Sequence, residues 1–342
     1  MKEFGSDFQP INTYDSQRAH LTDVFRGAML LANCRQCIVA LIKQYGWKRM
    51  WIPDYFSKDV IRSIQDKTDI KIEIYQDSPM KEVVLKGLPF KDGDVLFRMN
   101  YFGMREKRRN KDIPIPVIED HSHDPFGHWA LYSDADWCVS SIRKFLPLPE
   151  GGMMWSPKGH KLTEEIHQTE ANEQIAQARW NGMEKKAQYL GGADIAKDEY
   201  RDIFAETEDQ LIKSDISLID ERSRLFISEQ LDINLWLGAK RKNWKLLREL
   251  IHCDHCQIIE PEDDSCNMFS MILLCENKKT RDKIKKELIE NNVYPAILWE
   301  LGEDVSMEAK DFSNRMISIH CDGRYSEGEV KRLAEILNNV LR

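Results

Sequence analysis

Lys144 stands in SSIRKFLPLPEGG (140–152), with Ser140 and Ser141 just before it and a Glu-Gly-Gly turn after it. VIEDHSHD (117–124), upstream of it, sets Asp120 and His123 at the end of a hydrophobic run. A lysine held at the end of a strand can act as a nucleophile, and a carboxylate, an imidazole and two hydroxyls beside it can move protons and bind an anion. Each residue also has a plainer use. The lysine would then be solvated loop decoration and the aspartate a cap or turn former.

The surrounding pattern decides between these uses. Short β-rich runs recur between helical stretches: RMWIP (49–53), IKIEIYQ (70–76), DVLFRMN (94–100), IPVIEDH (115–121) and DADWCVSSI (134–142). Strands that alternate with helices predict an α/β fold around a mostly parallel sheet, in which ligands collect at the carboxyl ends of the strands. Asp120 lies at one such end, and Ser140, Ser141 and Lys144 at the next. This set matches what pyridoxal phosphate requires: an amine for a Schiff base, a carboxylate to keep the pyridine nitrogen protonated, and donors for the phosphate. Lys144 is the expected amine, Asp120 the pyridinium partner and Ser141, ahead of Ser140, the phosphate ligand. His123 is expected to reach the ring's 3-oxygen or to pack against the cofactor face.

From about 160 to 235 the chain is polar and helical, read as surface and interface helices. A second α/β pattern follows, with FSMILLC (269–275), a helix over about 278–291, VYPAILW (293–299), RMISIHC (315–321) and a last helix opened by the capping box Ser326 and Glu329. The expected division is a large domain over 1–235 and a smaller C-terminal α/β domain over 236–342.

Composition limits the function. A formal net charge of -8 and a pI near 5.7 argue against a duplex-coating nucleic-acid binder, which needs a basic face. MREKRRNK (104–111), the densest basic run, reads as a solvated loop. The first residues, MKEFGSDFQPINTYDS, show no hydrophobic signal core, and no stretch approaches the roughly 18 apolar residues of a membrane helix. A cytoplasmic protein with reduced thiols is the expectation.

VIEDHSHD followed by SSIRKFLPLPEGG resembles the fold-type-I, pyridoxal-phosphate-dependent sugar aminotransferases of the DegT–StrS type, with their E-D-x-x-[QH] strand end and subsequent S…K…(D/E)-G-G. ANCRQCIVALI (32–42) resembles the helix start that holds the phosphate, which implies Asn33, Cys34 and Arg35 as phosphate ligands. WIPDYFSKDV (51–60) resembles the turn that lays an aromatic ring, here Tyr55, over the cofactor, and SIHCDGRYSEGEVKRL (318–333) resembles a C-terminal stretch of one branch. The resemblance implies transfer of an amino group, with glutamate the expected donor, to a keto sugar, most plausibly nucleotide-linked, by a homodimer whose sites are shared across the interface. Two departures stand out: Cys34 replaces a common glycine, and the serines precede the lysine by three and four residues instead of five. Dehydrating relatives carry histidine in place of the lysine, so Lys144 speaks against that chemistry.

The same residues admit other chemistry. His121, His123, His128 and Asp124 can be drawn as a metal cluster, but this leaves Lys144 unexplained. The pairs Cys34/Cys37 and Cys253/Cys256 lack the spacing of a four-ligand zinc knuckle, and Cys37 reads as core. No metal is expected. Arg143 is expected to point away from Lys144 along an extended segment, as a surface or inter-subunit salt-bridge residue. Arg241 and Asn243 are either a basic helix face or, by the resemblance, neighbours of a partner's cofactor. The competing functions are a pyridoxal-phosphate lyase, an amino-acid aminotransferase and a non-catalytic protein on the same fold.

Overall fold

The computed structural model describes residues 3–11, 19–81 and 84–342; the N-terminal stretch read for a signal core lies partly outside these. Among the described residues, eight strands precede residue 160: β1 (Phe4–Gly5), β2 (Met29–Leu31), β3 (Arg49–Pro53), β4 (Lys71–Tyr75), β5 (Asp94–Met99), β6 (Val117–Asp120), β7 (Trp137–Ser140) and β8 (Gly152–Trp155). Seven of them form one sheet in the order β2-β8-β7-β6-β5-β3-β4. The run from β7 to β4 is parallel, whereas β8 is antiparallel to both of its neighbours.

The five expected strands are all present, β3 with the expected bounds and the other four trimmed at their ends. Their central members β5, β6 and β7 are buried at every position, as a parallel sheet covered on both faces requires. β2 and β8 escaped the sequence reading. Each is only three or four residues long, and neither MLL nor GMMW alternates apolar with polar residues. The Glu-Gly-Gly turn therefore does more than let the chain leave, because it feeds a strand that returns into the sheet.

The helix Cys34–Tyr45 follows β2. Asn33 caps it by accepting from Gln36 N at 3.0 Å, its buried side includes Cys37, Ile38, Leu41 and Ile42, and Gly46 ends it in the left-handed region at φ 60°. Its first turn rests on β8. A Cβ on Gly152 would fall 2.2 Å from the Asn33 carbonyl carbon and 2.5 Å from Cys34 N, so only glycine lets strand and helix start approach this closely. Two long helices, Glu170–Gly191 and Lys197–Lys213, lie in the region expected to be helical.

The C-terminal part holds β9 (Cys256–Ile258), β10 (Met271–Cys275), β11 (Val293–Tyr294) and β12 (Met316–Ile319). β9, β10 and β12 form an antiparallel sheet in the order β12-β10-β9, and β11 pairs in parallel with β1. VYPAILW was expected to be one strand, but only Val293 and Tyr294 are. Pro295 has no N–H to offer a ladder; Ala296 makes a single antiparallel bridge to Ser318 of β12, and Leu298 and Trp299 beyond it pack against the main cluster. The capping box forms as read, with Ser326 N donating to Glu329 Oε2 at 2.9 Å. The core divides into a main cluster and a second one built from residues such as Leu247, Met271, Leu288, Ile317 and Leu337, which also takes in Phe4. Helix Ile233–Leu250 reaches both, with Trp236 in the first and Leu247 in the second. Among the described residues no helix is long and apolar enough to cross a membrane.

Gly152→Ala is expected to force β8 and the helix start apart, at a cost of about 2 kcal/mol or more. Thermal unfolding followed by circular dichroism will show a melting temperature lowered by several degrees; an unchanged value would mean that the contact is soft.

Candidate active site

β6 and β7 are neighbours in parallel register, with Asp120 opposite Val139, so their carboxyl ends open side by side. Ser122 ties them together. Its N–H donates to Asp120 Oδ1 at 2.7 Å, and its hydroxyl accepts from Ser141 N at 2.7 Å. After β7 the chain turns into a 3₁₀ turn, Ile142–Lys144, closed by Lys144 N donating to Ser141 O. Asp120, Ser122, Ser141 and Lys144 then line one small cavity of about 40 Å³ with Asn33, Cys34, Arg35 and Arg143.

The 3₁₀ turn corrects the expectation for Arg143. An extended segment sends successive side chains to opposite faces, but three residues per turn do not. Arg143 lines the same cavity as Lys144, and its Nη2 donates to Glu208 Oε1 at 2.8 Å. Of the two serines, Ser141 lines the cavity, while Ser140 Oγ is buried against the His121 carbonyl oxygen. Asn33 and Cys34 are at the cavity as the first residues of the helix, and Arg35 reaches Glu208 at 3.7 Å.

Electrostatics follow from this enclosure. Burial lowers the pKa of Lys144; Asp120 opposes the shift, while Arg143 and Arg35 add to it. Burial raises Asp120 above the usual carboxylate range, against the hydrogen bonds from Ser122 and the charge of Lys144. Burial likewise pushes the Cys34 thiol well up, helped by Asp120, so at neutral pH it is a neutral wall of the cavity.

His123 is buried, and its Nδ1 accepts from Phe102 N at 3.1 Å. That bond places the proton on Nε2, which has no hydrogen-bond partner among the described residues. Burial, reinforced by Lys144, lowers its pKa far enough to keep the ring neutral. The ring stacks on Phe102 at 5.3 Å and meets Phe269 at 4.7 Å and Trp299 at 5.7 Å.

Tyr55, expected over the cofactor, is not among the residues that line the small cavity. It is wholly buried among Tyr101, Trp299 and Phe312, and its hydroxyl donates to the Leu298 carbonyl. This ring joins an aromatic core. Trp299, which the sequence reading passed over as part of a strand, is the aromatic residue near the amine. Its ring centroid lies 5.8 Å from Lys144 Nζ. The only signal for it was the proline that ends β11.

The remaining clusters have structural roles. Among the described residues, Glu119, His121 and Cys138 alone bring three possible metal-ligand atoms together, but Glu119 already accepts from Asn110, Ser133 and His121. The drawn cluster of three histidines does not form, since His128 is exposed and Asp124 is bound to Asn267. Cys37 is core, and Cys256 Sγ lies 3.8 Å from the cross-strand Cys275 Sγ, all as free thiols. Asn243 is buried and donates to the Asp322 and Tyr325 carbonyls, which makes it a brace of the C-terminal part. Arg241 is exposed and bound to Asn267. Glu150, read as part of a turn, is fully buried, accepting from Asp220 N at 2.6 Å and Asn172 Nδ2 at 3.0 Å.

No protein-family model and no curated protein sequence matches this chain. Solved structures do. PseC from Helicobacter pylori, an aminotransferase of pseudoaminic acid biosynthesis, aligns over 99% of both chains with a TM-score of 0.63 at 10% identity. The fold is that of the fold-type-I pyridoxal-phosphate enzymes. DesI, solved in the presence of its TDP-sugar product, aligns with a TM-score of 0.60 at 12% identity, covering 93% of this chain and 81% of its own. An Escherichia coli GDP-4-keto-6-deoxy-D-mannose-3-dehydratase with bound hydrated pyridoxal phosphate aligns with a TM-score of 0.56 at 10% identity, over 92% and 89%. Identities this low establish the fold; the chemistry rests on the residues of the cavity.

Two measurements check the electrostatics. The pH midpoint for modification of Lys144 by an amine-reactive reagent, read by peptide mass spectrometry, is expected below the ordinary lysine value of 10.5, and further down in Asp120→Asn because that carboxylate supports the charged form. Burial raises Glu150 from 4.5 to about 8. A pKa raised on folding gives stability that is complete below 4.5 and lost as pH climbs through 8. Denaturant titrations across that window will show the loss in the wild type and a flatter profile in Glu150→Gln.

Proposed function

We propose that this protein is a pyridoxal-phosphate-dependent aminotransferase acting on a keto sugar, with glutamate as amino donor. The observation that carries the reading is the meeting of Lys144 and Asp120 in one cavity at the carboxyl ends of adjacent parallel strands. The donor set fits the cofactor. Asp120 would hold the protonated ring nitrogen, whose positive charge would in turn favour the ionised carboxylate that burial disfavours. The unpartnered Nε2–H of His123 would be a donor for the ring's 3-oxygen, and Ser141 with the start of helix Cys34–Tyr45 would hold the phosphate. Bound there, the cofactor would supply an electron sink for the bond cleaved at the amino donor's Cα.

The chain's own residues account for the proton work. Lys144 is the amine that would hold the cofactor covalently and, once released, move the Cα proton. It must be neutral to accept that proton, and burial with Arg143 and Arg35 nearby lowers its pKa in the required direction. His123 stays neutral, so it donates without bringing a further positive charge to Lys144. Trp299 and Phe269 wall the His123 side and exclude water. The substrate class draws on the likeness to DesI and PseC, whose descriptions name a TDP-sugar product and pseudoaminic acid biosynthesis. We place the enzyme in the cytoplasm as a homodimer, with a large domain over 1–235 and a small one from about residue 236.

The test is spectroscopic. Protein loaded with pyridoxal phosphate is expected to absorb near the visible edge, Lys144→Ala is expected to lose that band, and glutamate is expected to bleach it in the wild type. Recovery of the band on adding one of a panel of nucleotide-linked keto sugars then identifies the acceptor. Failure to take up the cofactor at all would end the reading, and bleaching by no amino donor would favour a lyase or a non-catalytic binder.

A further inference from the structure

Three thiols meet at the edge of the C-terminal sheet, and none of them lines the cavity of Lys144. Helix Ile233–Leu250 runs into IHCDHC (251–256), and the edge strand β9 begins on the last cysteine of that stretch. Both ends of this short link are pinned. Asn338 accepts from His252 N at 2.8 Å and donates to the Leu250 carbonyl at 2.9 Å, while the His255 carbonyl accepts from Glu276 N at 3.1 Å. Cys253 and Cys256 therefore sit at the two sides of a turn formed by Asp254 and His255.

Sheet register supplies the third thiol. Between β9 and β10, His255 faces Glu276 and Ile259 faces Ile272 as hydrogen-bonded pairs, so Cys256 and Cys275, the pair next to the first, form a non-hydrogen-bonded pair. Such a pair brings its Cα atoms to about 4.5 Å, within the span that a disulfide bridges. The two Sγ atoms lie 3.8 Å apart as free thiols.

The three thiols are unequal. A hydrogen bond from Cys256 holds the Cys253 thiol at about 7 against the opposing effect of burial, helped by the backbone N–H groups of His255 and Cys256 and by the charge of His255. Contacts with Cys253 and Cys275 push Cys256 far up, so it keeps its proton. Cys253 is half-buried, whereas Cys275 is buried. A reachable thiol that ionises near neutral pH is the best attacker of a disulfide.

We propose that Cys253, Cys256 and Cys275 form a thiol–disulfide exchange site whose substrate is a low-molecular-weight disulfide, RSSR. The Cys253 thiolate attacks one sulfur of RSSR, forms a mixed disulfide and releases one RS⁻. Cys256 then gives up its proton to that RS⁻ and attacks the Cys253 sulfur, which displaces the second RS⁻ and leaves a disulfide between Cys253 and Cys256. Cys275 gives its proton to the second RS⁻ and attacks the Cys256 sulfur, which forms the cross-strand disulfide and restores the Cys253 thiolate. Two cysteines are oxidised, and one RSSR is reduced to two RSH. The site does not draw on the aminotransferase reading.

The experiment incubates the full chain with oxidised glutathione near neutral pH, quenches with acid and maps the sulfurs by peptide mass spectrometry, with circular dichroism confirming that each variant is folded. The wild type is expected to carry a disulfide between Cys256 and Cys275 and to release reduced glutathione without retaining any. Cys256→Ser is expected to stop with glutathione on Cys253, Cys275→Ala to stop at a disulfide between Cys253 and Cys256, and Cys253→Ser to react about tenfold more slowly or worse. Cys266, also half-buried but with its thiol pushed up to about 12 by burial, is the internal control. Glutathione uptake at Cys253 of Cys256→Ser that is no faster than at Cys266 would overturn the role of Cys253. A wild type that comes to rest at a disulfide between Cys253 and Cys256 would overturn the role of Cys275, and one that retains glutathione or does not react would overturn the site.

Discussion

Ser122 fastens the ends of two parallel strands, and the site depends on that fastening. Its amide holds the Asp120 carboxylate and its hydroxyl receives the Ser141 amide, so the acid of one strand and the turn that carries Lys144 are set by a single residue. The physical demand behind it is desolvation. A carboxylate and an amine taken out of water on loops would be expensive and mobile, and short hydrogen bonds to a rigid sheet limit both problems.

The rest of the fold closes around that pair from two directions. On one side, Gly152 lets β8 sit against the first turn of helix Cys34–Tyr45, which brings Asn33, Cys34 and Arg35 to the cavity. On the other, the C-terminal part reaches across. Asp124 takes two hydrogen bonds from Asn267, Tyr55 holds the Leu298 carbonyl, and Phe269 and Trp299 meet the His123 ring. The residues that line the small cavity all lie between Asn33 and Lys144, and the C-terminal Phe269 and Trp299 join the main hydrophobic cluster beside them.

Charge is distributed to suit. Asp120 and Lys144 line the cavity together with Arg35 and Arg143, both of which meet Glu208. Burial lowers the pKa of Lys144, and Arg143 and Arg35 add to the shift, so the enclosure and the charge around the amine act in the same direction.

Local pattern determined the strands β3 to β7, the cap at Ser326 and the pairing of Asp120 with Lys144 on neighbouring strand ends, because burial on both faces and turn chemistry are written in consecutive residues. The two serines were separable only in part. What decided between them was the Ser122 link, which turns Ser141 to the cavity and leaves Ser140 against His121. Tyr55 packs in an aromatic core and Trp299 lies near Lys144, and neither placement is legible locally, since an aromatic residue's partner depends on packing across elements far apart in the chain. Arg143 and Glu208 are 65 positions apart, and nothing in either neighbourhood names the other. Sequence by itself determined which groups could do chemistry. Tertiary structure decided which of them are desolvated together, because burial and charge coupling are properties of neighbours in space.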